Sequence, residues 1–175
     1  HDELHDHVWH ACAAAIRKLS DALAASGMPS TDLPAPAGAD PLQHAMELLF
    51  RLAVRRRASD IHIAPAMESG TTAGLIRMRR DGMLLREADL DVRLLPHLTE
   101  RLKTMAGCDV LEPGRPQEGR LRWAQGMSEE FDLRASFMPT TLGPSVTVRV
   151  LHRADILPRL DDVGYTPQDL QRIEE

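Results

Sequence analysis

The pair Asp81-Gly82, set between two runs of alternating apolar and polar residues, constrains this chain more than any other stretch. Such a pair accepts the positive φ angles of a tight hairpin turn at little cost. The alternation Leu75-Ile76-Arg77-Met78-Arg79 then puts Ile76 and Met78 on one face and Arg77 and Arg79 on the other. The sequence therefore predicts a hairpin of residues 75–80 and 83–88, buried on one side only. A second alternating run, Ser59-Asp60-Ile61-His62-Ile63-Ala64-Pro65, follows the basic cluster Arg55-Arg56-Arg57. It predicts a strand with Ile61 and Ile63 inward and Asp60 and His62 outward.

Helices are expected on either side of these strands. Asp40 caps a helix with Pro41 at its first position, where the missing amide costs little. Leu42, Ala45, Met46, Leu49 and Ala53 form its apolar stripe. Residues 91–106 repeat the pattern with Leu94, Leu95, Leu98, Leu102 and Met105 inward, Arg93, Glu100, Arg101 and Lys103 outward, and Gly107 as the stop. Residues 68–74 and 112–119 read as loops. Three further strands are expected near 120–124, 130–136 and 145–151, the last with Val146, Val148 and Val150 on one face. Asp132 and Arg134 share a face and read as a surface ion pair. Helices and strands in this order predict an α+β, two-layer fold: a largely antiparallel sheet with helices packed on it.

An apolar stripe of Leu4, Val8, Cys12, Ile16, Leu19 and Leu23 predicts a separate N-terminal amphipathic helix within residues 1–27. Residues 28–41 carry four of the chain's 12 prolines and read as a linker. The α+β domain is expected over 42–160. Residues 161–175 begin a further linker and helix at Thr166-Pro167. His1, His5, His7 and His10 point around a terminal helix rather than converging, so no metal site is expected.

A formal charge of −5 argues against a general nucleic-acid binder. Two cysteines make no disulfide framework, which suits a reducing, cytoplasmic compartment. No apolar run approaches the ~20 residues that span a bilayer. Asp60 and His62 lack a nucleophile, so no catalytic residue is expected. No Gly-Lys pair occurs in the chain, and with it goes the phosphate-cradling loop G-x-x-x-x-G-K-[ST].

Four motifs stand in order: Ala58-Ser59-Asp60-Ile61-His62-Ile63-Ala64-Pro65, Arg77-Met78-Arg79-Arg80-Asp81-Gly82, Arg115-Pro116-Gln117-Glu118-Gly119-Arg120 and Asp132-Leu133-Arg134-Ala135-Ser136. Together they resemble the domain just before the motor in ATPases of type II secretion and type IV pilus assembly. The family fold is PAS-like. The resemblance implies ATP and Mg2+ as cofactors of the full-length protein. It implies as partners a C-terminal ATPase motor domain, sister subunits of a hexamer and an inner-membrane platform protein, in the cytoplasm and peripheral to the inner membrane. By resemblance, Arg86 and Arg101, then Arg79 and Arg120, reach ATP bound on the motor. Any one of these arginines reads more readily as a surface cation, solvated or paired with Glu or Asp; for the set the two readings weigh evenly. The chain departs from the family at Arg80, where a hydrophobe is usual, and at Ala64, Arg115, Glu118 and the run Leu142-Gly143-Pro144-Ser145. The alternative reading is a motor-less adaptor or sensor that binds a partner protein.

Overall fold

The computed structural model describes residues 40–125 and 129–152, with the isolated positions 14, 17 and 172. The expected N-terminal helix, its linker, the histidine cluster and the segment 161–175 lie outside the described residues. Helix α1 spans Pro41–Arg55. Asp40 caps it as expected, its Oδ1 accepting from the Leu42 amide at 3.0 Å. Its buried set is wider than the expected stripe, adding His44, Leu48, Phe50 and Leu52. Arg57, at φ 51°, turns the chain out of the helix, and the Ala58 amide still reaches the Ala53 carbonyl at 2.9 Å.

Six antiparallel strands follow: β1 Asp60–Glu68, β2 Thr71–Arg80 and β3 Met83–Leu90, then β4 Gln117–Gln125, β5 Glu129–Thr140 and β6 Gly143–His152. Helix α2, Leu94–Met105, links the two groups. The strand order is β3-β2-β1-β6-β5-β4, so two three-strand meanders meet where β1 pairs with β6. That joint registers four residues, Asp60–Ile63 against Val146–Arg149.

The Asp81-Gly82 turn forms as expected, with φ of 48° and 80°. The expected loop at 68–74 is a second hairpin instead. Ser69 and Gly70 repeat the same left-handed pair, at 48° and 80°, and Thr71–Gly74 extend β2 against Pro65–Glu68. Small residues with weak alternation obscured that strand.

Both helices cover one face of the sheet. Ile61, Ile63, Ile76, Met78, Leu121, Leu133, Phe137, Val146 and Val148 point into that layer with Leu48, Phe50, Leu52, Leu94, Leu98 and Leu102 from the helices. Trp123 joins α1 to the β4–β5 end, its ring 5.7 Å from Phe50 and 5.4 Å from Phe131. Burial of this size is the main favourable contribution to the fold. Met105 differs from expectation, remaining exposed at the last turn. Lys103 differs in the opposite sense. It is only 4% exposed, and its Nζ donates to the carbonyls of Asp109 and Glu112 at 3.2 and 3.0 Å.

Gly119 marks a close approach between α2 and β4. A Cβ there would collide with the Ala106 carbonyl and lie 2.7 Å from Cys108 Sγ. The neighbouring Gln117 secures the loop between α2 and β4. Its Nε2 donates to the carbonyls of Asp109 and Glu112, and its Oε1 accepts from the Asp109 amide, all at 2.8 Å.

Candidate functional site

Among the described residues the other face of the sheet carries no helix, and the functional candidates of the strands collect on it. Register places residues of different strands in rows across this face. One row runs Arg120 (β4), Arg134 (β5), Arg149 (β6), Asp60 (β1) and Arg79 (β2). The next runs Glu118, Ser136, Thr147, His62, Arg77 and Arg86. Alternation alone explains the convergence, because cross-strand partners share a face.

Asp60 is the fixed point of the first row and is 6% exposed. Its Oδ1 accepts from Arg149 Nε at 3.0 Å, its Oδ2 from Ser59 Oγ at 2.8 Å, and Arg79 Nε stands 3.6 Å away. Burial pushes this carboxyl up, but the hydrogen bonds from Arg149 and Ser59 outweigh it and hold the group below the usual carboxylate range. Arg79 is further tied by Nη1 to the Gly82 carbonyl at 2.8 Å, which couples it to the turn. His62 shares a 3.2 Å hydrogen bond through Nδ1 with Thr147 Oγ1, while its Nε2 is buried without a partner. Burial lowers its pKa; Asp60 opposes this, and Arg79 and Arg77 reinforce it. The lowered pKa favours the neutral imidazole beside Arg79 and Arg77. Through these bonds Asp60 and His62 tie β1 to β6.

Arg86, on the edge strand β3, is held more tightly. Its Nη1 and Nη2 donate to the two oxygens of Glu68 at 2.8 and 2.9 Å, and its Nε donates to Asp89 at 2.6 Å. Bonding to Asp89, then to Glu68, stabilises its charged form. The fork geometry is that of a guanidinium gripping an anion. Here both anions come from the same sheet edge. Arg101 lies in the helical layer, where Nη2 donates to Gln43 Oε1 of α1 at 2.8 Å and Nε is buried without a partner. The structure thus puts Arg79, Arg86 and Arg120 on one face and Arg101 on the other side of the sheet.

Several participants escaped sequence reasoning. Glu68 sat in an expected loop, so its clamp on Arg86 was invisible until that loop proved to be a hairpin. Arg134 and Arg149 were legible in principle, since their strand parity matches Asp60 and Arg120. The expected ion pair of Asp132 with Arg134 does not form. Residues two apart on one strand are separated by nearly 7 Å, and Arg134 stands exposed between Arg120 and Arg149. Arg80, the unusual residue before the turn, reaches Glu87 at 3.0 Å, with Arg56 at 4.0 Å from the same carboxylate. Glu87 is the extra residue of a register shift opposite Ile76 and Arg77. The bulge turns it to meet the arginine.

Comparisons with known proteins agree with this architecture. The sequence matches the family model described as Type II/IV secretion system protein over residues 36–175. It is 31% identical over 135 residues to the type IV pilus assembly ATPase PilB of Myxococcus xanthus, which covers 77% of this chain and 23% of that protein. It is 33% identical to the type II secretion system protein E of Xanthomonas campestris, over 77% of this chain and 23% of that protein. The chain thus spans less than a quarter of these two relatives. The crystal structure of the Legionella pneumophila ATPase DotB superposes with a TM-score of 0.51 over 80% of this chain and 37% of that one, at 17% identity, which supports the fold alone. The chain belongs to the type II/IV secretion system protein family.

Proposed function

We propose that this chain is the pre-motor domain of a type II secretion or type IV pilus assembly ATPase, and that its arginines reach ATP bound to a motor domain. The observation that carries this reading is the family match across residues 36–175, in a stretch that holds no Gly-Lys pair. Hydrolysis would then belong to a motor domain elsewhere, with ATP and Mg2+ as cofactors. Sister subunits of a hexamer and an inner-membrane platform protein would be its partners, at the cytoplasmic side of the membrane.

Arg86 is the leading contact. A terminal phosphate offers the same paired oxygens that Glu68 now supplies, with greater charge. The clamp keeps the fork extended at the sheet edge, and phosphate binding would exchange one anion for another. Arg101 follows, because among the described residues only Gln43 holds it and its Nε lacks a partner. Arg79 ranks lower, being engaged by Asp60 and Gly82. Arg120 also ranks lower, standing beside Arg134 rather than Arg86. The test is ATP turnover by the motor-bearing protein with Arg86→Ala or Arg101→Ala. Each substitution is expected to lower kcat by about 10²–10³-fold, as for the loss of one preorganised donor. Unchanged turnover in both variants would sink the assignment.

The saturation of Arg86 by Glu68 and Asp89 favours a second reading, a motor-less adaptor or sensor that binds a partner protein. Under it these carboxylates are permanent structural partners, and neither substitution alters any nucleotide response.

A further inference from the structure

The row Arg120–Arg134–Arg149 places three guanidinium side chains on adjacent strands, directly opposite one another in register. Like charges in such positions repel and weaken a sheet. The one carboxylate in line with them, Asp60, is already engaged by Arg149, Arg79 and Ser59. Arg120 and Arg134 make no hydrogen bond or ion pair among the described residues, and both are exposed. The chain as a whole is acidic, at −5, so the row opposes the average charge. A local arrangement that costs stability without a visible compensating contact points to a functional constraint.

A cavity of about 400 Å³ opens at the same place, lined by these arginines, by Ser136 and Thr147, and by the carboxylates of Asp60 and Glu118. Neither hydroxyl is idle. Ser136 Oγ donates to Glu118 Oε1 at 3.2 Å, and Thr147 Oγ1 meets His62. The Glu118 carboxylate therefore borders the bay and limits how far an anion can extend past Ser136.

We propose that this bay binds a compact polyphosphate group, gripped by Arg120, Arg134 and Arg149. With strands about 4.8 Å apart, the three arginine Cα atoms span roughly 10 Å. Successive phosphates in one small ligand can face all three forks within that width. An acidic peptide fits less well. Its alternate carboxylates lie about 7 Å apart along a strand, and strand addition needs a free edge, which among the described residues only β4 of the three strands in the row offers. The site shares Arg120 with the lower-ranked contacts of the proposed function but contains neither Arg86 nor Arg101, so Arg134→Gln tests it apart from that reading.

The test is isothermal titration of the 175-residue chain with inorganic tripolyphosphate at low salt, with ATP titrated in parallel. Saturable binding of tripolyphosphate is expected, weakened at least tenfold by Arg134→Gln and by Arg120→Gln. Arg122→Gln, on the same strand as Arg120 but outside the row, is expected to leave it unchanged. Equal affinity for ATP would show that the phosphate chain is recognised whether free or carried by a nucleotide. A second readout is thermal melting without ligand, where Arg134→Gln should hold or raise Tm by relieving repulsion. No heat with tripolyphosphate would overturn the site, as would binding by ATP alone or an equal loss in Arg122→Gln. A lower Tm in ligand-free Arg134→Gln would also count against it, by making that arginine a structural group.

Discussion

Asp60 sits almost fully out of solvent between two arginines that both reach toward water. Its folded pKa lies below the ordinary value near 3.9. The stability it contributes is therefore complete above about pH 4 and is lost as pH falls through the folded value. His62 is also depressed, so its contribution is complete above about pH 6.5 and declines as acid forces a proton onto the buried ring. Both residues make the fold less stable in acid. Asp60→Asn is expected to cost about 1–2 kcal/mol at neutral pH, since the arginines it releases can be hydrated. It should also flatten the lower part of the acid loss. Because Asp60 supports protonation of His62, the same substitution should depress the imidazole further and enlarge its share. Urea unfolding across a pH series checks all three statements, and an unchanged slope near pH 4 would refute the first.

At the scale of elements, the connection between α2 and β4 is set by three residues. Gly119 permits the approach, Lys103 caps the loop from beneath and Gln117 ties it from the side. Gly119→Ala forces the Ala106 carbonyl or Cys108 to shift, and a loss of about 1–3 kcal/mol is expected, seen as a lower Tm. Lys103→Met leaves the carbonyls of Asp109 and Glu112 with Gln117 as their remaining partner. The expected cost is about 1 kcal/mol, with faster amide exchange confined to the residues around 108–113. Uniform acceleration across the domain would contradict a local role. The helix at 91–106 was legible from its leucines, because apolar spacing reports which side faces a core. The burial of Lys103 was not, because the loop carbonyls that accept its protons have no signature in side-chain identity. The strand alternation fixed the faces of Asp60, His62, Arg77 and Arg79 correctly. It could not reveal that Arg86 is clamped, since that depends on a Ser69-Gly70 turn whose flanking residues are too small to alternate.

Over the whole molecule, the two meanders are local structures, each closed by tight turns between neighbouring strands. They are joined by four registered pairs, Asp60–Ile63 with Val146–Arg149, between residues up to 89 positions apart. Closing so long a loop is entropically costly and slows folding. Each meander can therefore assemble early, and their union is expected as the late, rate-limiting event. Val148→Ala, at the centre of that union, should slow refolding as well as accelerate unfolding. Unchanged refolding would place the joint after the rate-limiting step instead. The Asp60–Arg149 bond crosses this same line, as a rivet across a seam that four backbone pairs also hold. A force or a proton that releases it would act on the weakest join of the sheet before touching either half.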